Sequence, residues 1–285
     1  MQNDNSKFKI NFIKKLKNIV KKNNSLLCVG LDTDTDKISK KFNDQFEFNK
    51  YIIDTTFDLV CSYKLNTAFY EAIGYKGILA LKKTCDYLRK KYPEIPIIID
   101  AKRGDIGNTN FGYLRFIFDY LFADAVTVNP YLGEEALAPF LAQKDKGVIV
   151  LCKTSNSGAG EFQDLVLSSK YQGLSINGKI KLYQYVAYQV VKKWNKNKNC
   201  LLVVGATYPK ELKEVRKIVG EDFWILVPGV GAQGGDLKET LKVGLSSKKE
   251  GLIINLSRAI IFSSNPRKEA EKWYMEMKRV VSSKY

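Results

Sequence analysis

Two carboxylates and an ammonium lie within one short stretch, Asp100-Ala101-Lys102-Arg103-Gly104-Asp105, directly after the apolar run Ile97-Ile98-Ile99. If that run is a strand, side-chain alternation puts Asp100 and Lys102 on the same face. Lys64 ends another apolar run, Leu59–Leu65, and adds a second ammonium. The expected arrangement is an alternating set of Lys64, Asp100, Lys102 and Asp105, because partly buried charges are costly unless each compensates its neighbours. A lysine held between carboxylates stays protonated and positioned, which suits delivery of a proton to a carbanion. An aspartate held ionised by two lysines can face a substrate carboxylate and repel it, an effect on the order of a few kcal/mol in a partly desolvated site. The competing reading of the same charges is an ordinary ion-pair network at the rim of a fold.

Other chemistries have little to work with. The chain contains no histidine, which removes the usual general base, the commonest metal ligand and every Ser-His or Cys-His nucleophile pair. Its five cysteines (Cys28, Cys61, Cys85, Cys152, Cys200) are scattered without CxxC spacing, and they read as small buried hydrophobes. The formal charge of +16 raises the question of a nucleic-acid or membrane partner. The lysines are nonetheless spread along the whole chain, and the densest cluster (Lys14, Lys15, Lys17, Lys21, Lys22) alternates with Phe12, Ile13, Leu16, Ile19 and Val20 at helical spacing. That is a solvated helix face, so neither nucleic acid nor membrane is expected as a partner. The absence of a long apolar span or a leader-like N-terminus leads to the expectation of a cytoplasmic protein.

The elements that must position the charged residues follow from the apolar periodicity. Eight strand-like runs, at Leu26–Asp32, Leu59–Leu65, Ile97–Lys102, Asp124–Asn129, Gly147–Thr154, Cys200–Thr207, Phe223–Pro228 and Gly251–Leu256, alternate with amphipathic helical stretches. Eight βα units in 285 residues predict an α/β fold of the (β/α)8 TIM-barrel type. It is expected to be a single domain over residues 1–285, with residues 1–25 as an N-terminal helical extension. The longest connection, roughly Ser155 to Gly178, has the length of a loop that covers a site.

Active sites of such barrels lie at the C-terminal strand ends. The polar residues closing the runs are Asp32, Lys64, Asn66, Asp100, Lys102, Asn129, Thr154 and Arg258. After the seventh run, Gly229-Val230-Gly231-Ala232-Gln233-Gly234 matches G-x-G-x-x-G, but its place in the chain argues against a dinucleotide fold. Its backbone N–H groups are expected to cradle a phosphate, with Gln233 reaching over it and Arg258 as a charged fork.

At Asp100-x-Lys102-x-x-Asp105 the sequence resembles the orotidine 5'-phosphate decarboxylase family. The resemblance extends in order through Gly30-Leu31-Asp32, Tyr63-Lys64-Leu65-Asn66, the run Asp100 to Thr109, Asn129-Pro130-Tyr131, Cys152-Lys153-Thr154-Ser155-Asn156, Pro228 to Asp236 and Asn255-Leu256-Ser257-Arg258. It implies a cofactor-free, metal-free decarboxylation to uridine monophosphate in which Lys102 protonates C6 and Asp100 opposes the departing carboxylate. It further implies that Lys64 organises that pair and, with Asp32, contacts the ribose, and that Thr154 bonds the pyrimidine edge. Asn66, Asn129, Pro228, Gly231, Gln233 and Arg258 are implied as further substrate contacts. A homodimer is implied as well, with Asp105, Ile106 and Thr109 acting across its interface. Two positions depart from the family pattern, Ala259 for a usual Gly and Ser157 for a usual Pro. The main alternative is a metal-dependent sugar-phosphate lyase of the same barrel superfamily. Such enzymes normally place a Glu where this chain has Lys64.

Overall fold

The computed structural model of the chain describes residues 10–168, 179–231 and 233–282. Each expected apolar run carries one strand, mostly shorter than its run: β1 (Leu27–Gly30), β2 (Ser62–Asn66), β3 (Ile97–Arg103), β4 (Ala125–Val128), β5 (Gly147–Lys153), β8 (Cys200–Val204), β9 (Ile225–Pro228) and β10 (Leu252–Leu256). They close into a parallel barrel in the order β1-β10-β9-β8-β5-β4-β3-β2. Strands covered on both faces carry near-continuous apolar sequence, and these are almost wholly buried. Within the fifth connection, β6 (Val166–Ser168) and β7 (Lys179–Lys181) form an antiparallel pair outside the barrel. The intervening residues 169–178 of the expected covering loop, and residues 1–9 of the N-terminal extension, lie outside the described residues.

The basic N-terminal segment forms the helix Phe12–Asn23. Its first turn is capped by the Asn11 side chain, which accepts from the Lys14 N–H, and Lys21 and Lys22 sit at the end of the helix where cations suit its dipole. Phe12, Leu16 and Ile19 are buried, each contributing about 1.5–3 kcal/mol. Phe12 donates its N–H to Asp145 O at 3.0 Å, just before β5. Lys15 bonds Asp124 at 2.8 Å, and Asp124 Oδ2 also accepts from Ile97 N at the start of β3. This helix therefore braces the N-terminal rim of the barrel, opposite the strand ends where the charged residues lie. Two of the expected helices change pitch: Asn108–Leu114 continues as a π-turn Arg115–Tyr120, and Leu182–Gln189 as a π-turn Val190–Trp194.

All five cysteines are buried free thiols. Burial pushes the Cys28 thiol up to about 12 despite the opposing hydrogen bond from Ser62 and the nearby Lys64, which leaves no thiolate for chemistry.

Candidate active site

Asp100 and Lys102 meet, although not by simple alternation. The register between β3 and β4 shifts between Ile99 and Arg103, and Lys102 adopts a left-handed φ of 49°. A bulge of this kind re-aims a side chain beside a site, and a non-glycine residue in that conformation is strained unless its surroundings hold it. Thr127 of β4 does the holding. Its Oγ1 accepts from the Lys102 N–H at 2.9 Å and donates to Asp100 Oδ1 at 2.8 Å. The same Oδ1 receives Lys102 Nζ at 2.8 Å.

On the other side, Lys64 Nζ reaches Asp100 Oδ2 at 2.9 Å and Asp32 Oδ1 at 3.3 Å. The strands make this inevitable: Asn66 is in register with Asp100, and Gly30, two residues before Asp32, is in register with Lys64. The charged set within one chain is thus Asp32–Lys64–Asp100–Lys102. Asp105 of the same chain is not in it. Past the bulge the chain turns outward, the Asp105 Oδ1 accepts from the Ile106 N–H at 2.7 Å, and its own N–H is bound by Asn110.

The set is buried unevenly. The Lys64 side chain is 4 % exposed and Asp100 12 %, while Lys102 at 48 % is open to the cavity. Burial works against ionised Asp100, but the charges of Lys64 and then Lys102 outweigh it and hold the carboxyl well below the usual carboxylate range. Burial likewise opposes charge on Lys64, and Asp100 followed by Asp32 raise it well above an ordinary lysine. Asp100 is therefore anionic and Lys64 cationic across the whole neutral range.

These groups form one wall of a cavity of about 1200 Å³ at the C-terminal mouth of the barrel. Asn66, Asn129, Thr154, Pro228, Gln233 and Arg258 line it too, each at its expected strand end. Asp105, Thr109 and Gly231 do not. Asp105 is half-buried and Thr109 exposed on the outer side of the third strand end.

The glycine-rich loop uses part of its donor set internally. The N–H groups of Gly231, Gly234 and Gly235 are bonded to carbonyls of the loop itself, so they close the turn rather than point at a ligand. Gly229 and Gly231 take φ values of 94° and 69° that the turn requires, and a Cβ on Gly229 would sit 2.8 Å from Gln233 Oε1. An anion in this part of the cavity would be met chiefly by the Arg258 guanidinium, which is exposed and has no carboxylate partner among the described residues.

Sequence reasoning missed Thr127 and Gln163. Thr127 sits inside an apolar run as one more β-branched strand residue, and Gln163 lies in the loop where no strand end points to it.

A (β/α)8 barrel with a hydrogen-bonded chain of two ammoniums and two carboxylates at its catalytic mouth, and a guanidinium in the same cavity without a carboxylate partner among the described residues, is the site of a barrel enzyme for an anionic substrate. Residues 25–273 match the model of the orotidine 5'-phosphate decarboxylase / HUMPS family. The chain belongs to this family. It is 48% identical over 262 residues to an orotidine 5'-phosphate decarboxylase of Cellvibrio japonicus, covering 90% of this chain and 91% of that one. Identity to the enzyme of the same name from Flavobacterium johnsoniae is 45% over 272 residues, with 92% and 95% covered. Among solved structures it superposes on OMP decarboxylase of Leishmania donovani with a TM-score of 0.83 at 36% identity, covering 96% of this chain and all of the other. UMP synthase of Leishmania donovani matches with a TM-score of 0.85 at 38% identity, and there this chain spans 57% of the longer protein.

Proposed function

We propose that the chain converts orotidine 5'-phosphate to uridine 5'-monophosphate (UMP) without a metal or organic cofactor. The observation that carries the reading is the Asp32–Lys64–Asp100–Lys102 chain. The substrate carboxylate on C6 lies against Asp100, which stays ionised beside it. As the C6–carboxylate bond breaks, the electron pair stays on C6 and carbon dioxide leaves. The Lys102 ammonium then gives its proton to C6, and the resulting amine is reprotonated from water. Arg258 and Gln233 hold the phosphate at the far side, so that binding energy from a non-reacting group orients the ring against the charges. Lys64 supports the metal-free reading over the sugar-phosphate lyase. Its ammonium stands between Asp32 and Asp100, where a divalent cation bridging those carboxylates would have to sit. Turnover of orotidine 5'-phosphate to UMP, followed by the loss of substrate absorbance and undiminished in EDTA, is the expected result. No turnover until magnesium and a sugar phosphate are supplied would move the chain to the metal-dependent relatives.

Thr127→Val keeps the shape of the buried side chain and removes both of its hydrogen bonds. The Lys102 N–H is left without an acceptor, which costs about 1–3 kcal/mol of stability. Misplacement of Asp100 and Lys102 is expected to lower kcat by about 10²-fold. Denaturant unfolding and turnover of the same variant check both numbers, and a variant matching wild type in turnover would remove Thr127 from the positioning machinery.

The homodimer belongs to the same proposal. Asp105 and Thr109 lie outside their own chain's cavity, and the nearby surface is apolar, with Ile106 63% exposed, Phe111 51% and Tyr131 79%. A second copy covering this surface would bring Asp105 and Thr109 to the partner's site. If so, mixing inactive Lys102→Ala and Asp105→Ala chains restores activity. Random reassortment makes half of the dimers mixed, and each mixed dimer has one site with neither substitution, so recovery of about a quarter of wild-type activity is expected. No recovery after demonstrated subunit exchange would place Asp105 in its own chain's site. A single domain and a cytoplasmic location complete the reading. One closed barrel with a continuous core supports the first, and five reduced buried thiols support a reducing compartment.

A further inference from the structure

Thr154, at the end of β5, already has a partner in this structure. Gln163 Oε1 accepts from the Thr154 backbone N–H at 2.9 Å, and Gln163 Nε2 donates to Thr154 Oγ1 at 2.8 Å. A backbone N–H can only donate, which forces the amide oxygen onto it and the amide nitrogen onto the hydroxyl. The hydroxyl proton is then directed to Asn156 Oδ1, 2.7 Å away. Thr154 consequently presents a donor and an acceptor side by side. Its partner, the carboxamide, presents C=O and N–H side by side, which is the pattern of the carbonyl and adjacent ring N–H on the imide edge of a uracil or orotate ring. A cytosine edge, with an unprotonated ring nitrogen beside an amino group, is the reverse.

We infer that Gln163 is an internal stand-in for the pyrimidine edge: it fills the Thr154 recognition pair in the empty site and the nucleotide must displace it. This deepens the proposed function and rests on it. Gln163 lines the cavity beside Thr154, and its neighbour shows how it is held there. Lys153, wholly buried, donates to Asp164 Oδ2 at 2.7 Å, with its ammonium 4.5 Å from the centre of the Tyr208 ring. Two consecutive residues at the end of β5 therefore pair with two consecutive residues, the last of the turn Gly160–Gln163 and the one that caps it. The Lys153–Asp164 pair anchors the backbone, so the Gln163 side chain can swing away by its own torsions while the segment stays in place. Displacement reduces the apparent affinity for any ligand that needs Thr154, in proportion to the fraction of molecules in which Gln163 occupies it.

The test titrates the full chain by calorimetry with UMP and with ribose 5-phosphate, which lacks the base and has no need of Thr154. In Gln163→Leu the UMP Kd is expected to fall at least about threefold while that of ribose 5-phosphate is unchanged. UMP binding that is unchanged or weaker, with ribose 5-phosphate still bound as in wild type, overturns the inference and makes Gln163 a fixed support for Thr154. Should the leucine variant lose ribose 5-phosphate as well, Gln163→Ala is read by the same criterion, since it removes both partners of Thr154 with a smaller side chain. A wild-type protein that binds neither ligand sinks the decarboxylase reading itself, and the inference with it.

Discussion

Lys102→Ala is expected to lower decarboxylation by at least about 10⁴-fold while UMP still binds within about tenfold of wild type. The geometry separates the two effects. Lys102 is the exposed cation of the set, its Nζ 2.8 Å from Asp100 on the open side of the cavity, and it is the group placed to give a proton to a carbon held there. Its removal leaves Asp100 still bonded to Lys64 at 2.9 Å and to Thr127 at 2.8 Å, so the carboxylate remains ionised and the barrel wall intact. Without the ammonium, the electron pair left on C6 has neither a nearby positive charge nor a proton, and the fragments recombine. In the proposed function UMP binding draws on Arg258, Gln233 and Thr154, which line the cavity and make no bond to Lys102. Single-turnover assay for the chemistry and calorimetry for UMP check the two halves separately. Wild-type turnover would remove Lys102 from its assigned role, and loss of UMP binding together with turnover would show it to be structural.

What the sequence revealed and what it hid follow from the same physics. The eight strands were legible because a strand buried on both faces is written as an unbroken apolar run, and the strand ends were legible because polar residues closing such runs are conspicuous. The β6–β7 pair was not, since each strand has only three residues, too few for a period to set it apart from loop. Spacing cannot tell whether Asp105 serves its own chain's set, because it counts residues and cannot register a bulge; within one chain Asp105 stands apart from the set. Once Lys102 takes a positive φ, the next residues turn away from the mouth, and Asp32, two residues past β1, is the second carboxylate within the chain. Thr127 was invisible for a related reason: a threonine between valines is ordinary strand composition, and only its position opposite the bulge gives the hydroxyl two partners. The glycine-rich loop shows the limit of a motif, because the N–H groups of Gly231, Gly234 and Gly235 are used within the turn itself.

Lys64→Ala is the sharper test of how the charge set is balanced. In the wild type the folded-state pKa of Asp100 is depressed, so its contribution to stability is fully present above the unfolded aspartate value, near 4, and is lost as the pH falls through the lower folded value. Lys64 has a raised folded-state pKa, and its contribution is present below the unfolded lysine value, near 10, and is lost only as the pH rises through the folded one. Between about pH 5 and 9 neither term changes. Removing Lys64 leaves Asp32 and Asp100 as half-buried carboxylates without the ammonium between them, with Lys102 as the only remaining cation on Asp100. Breaking a buried pair in this way costs about 3–5 kcal/mol at pH 7. With its main counter-charge gone, burial raises the Asp100 pKa, and protonation relieves the strain. The sign of the pH dependence therefore reverses: from pH 7 toward pH 4 the wild type holds or loses stability, whereas the variant recovers part of what it lost, and the gap between them narrows. Urea unfolding at pH 7 and pH 4.5 measures that gap directly. A difference that stays constant across the range would mean that Asp100 remains ionised without Lys64, and that Lys102 and Thr127 alone hold the carboxylate facing the substrate.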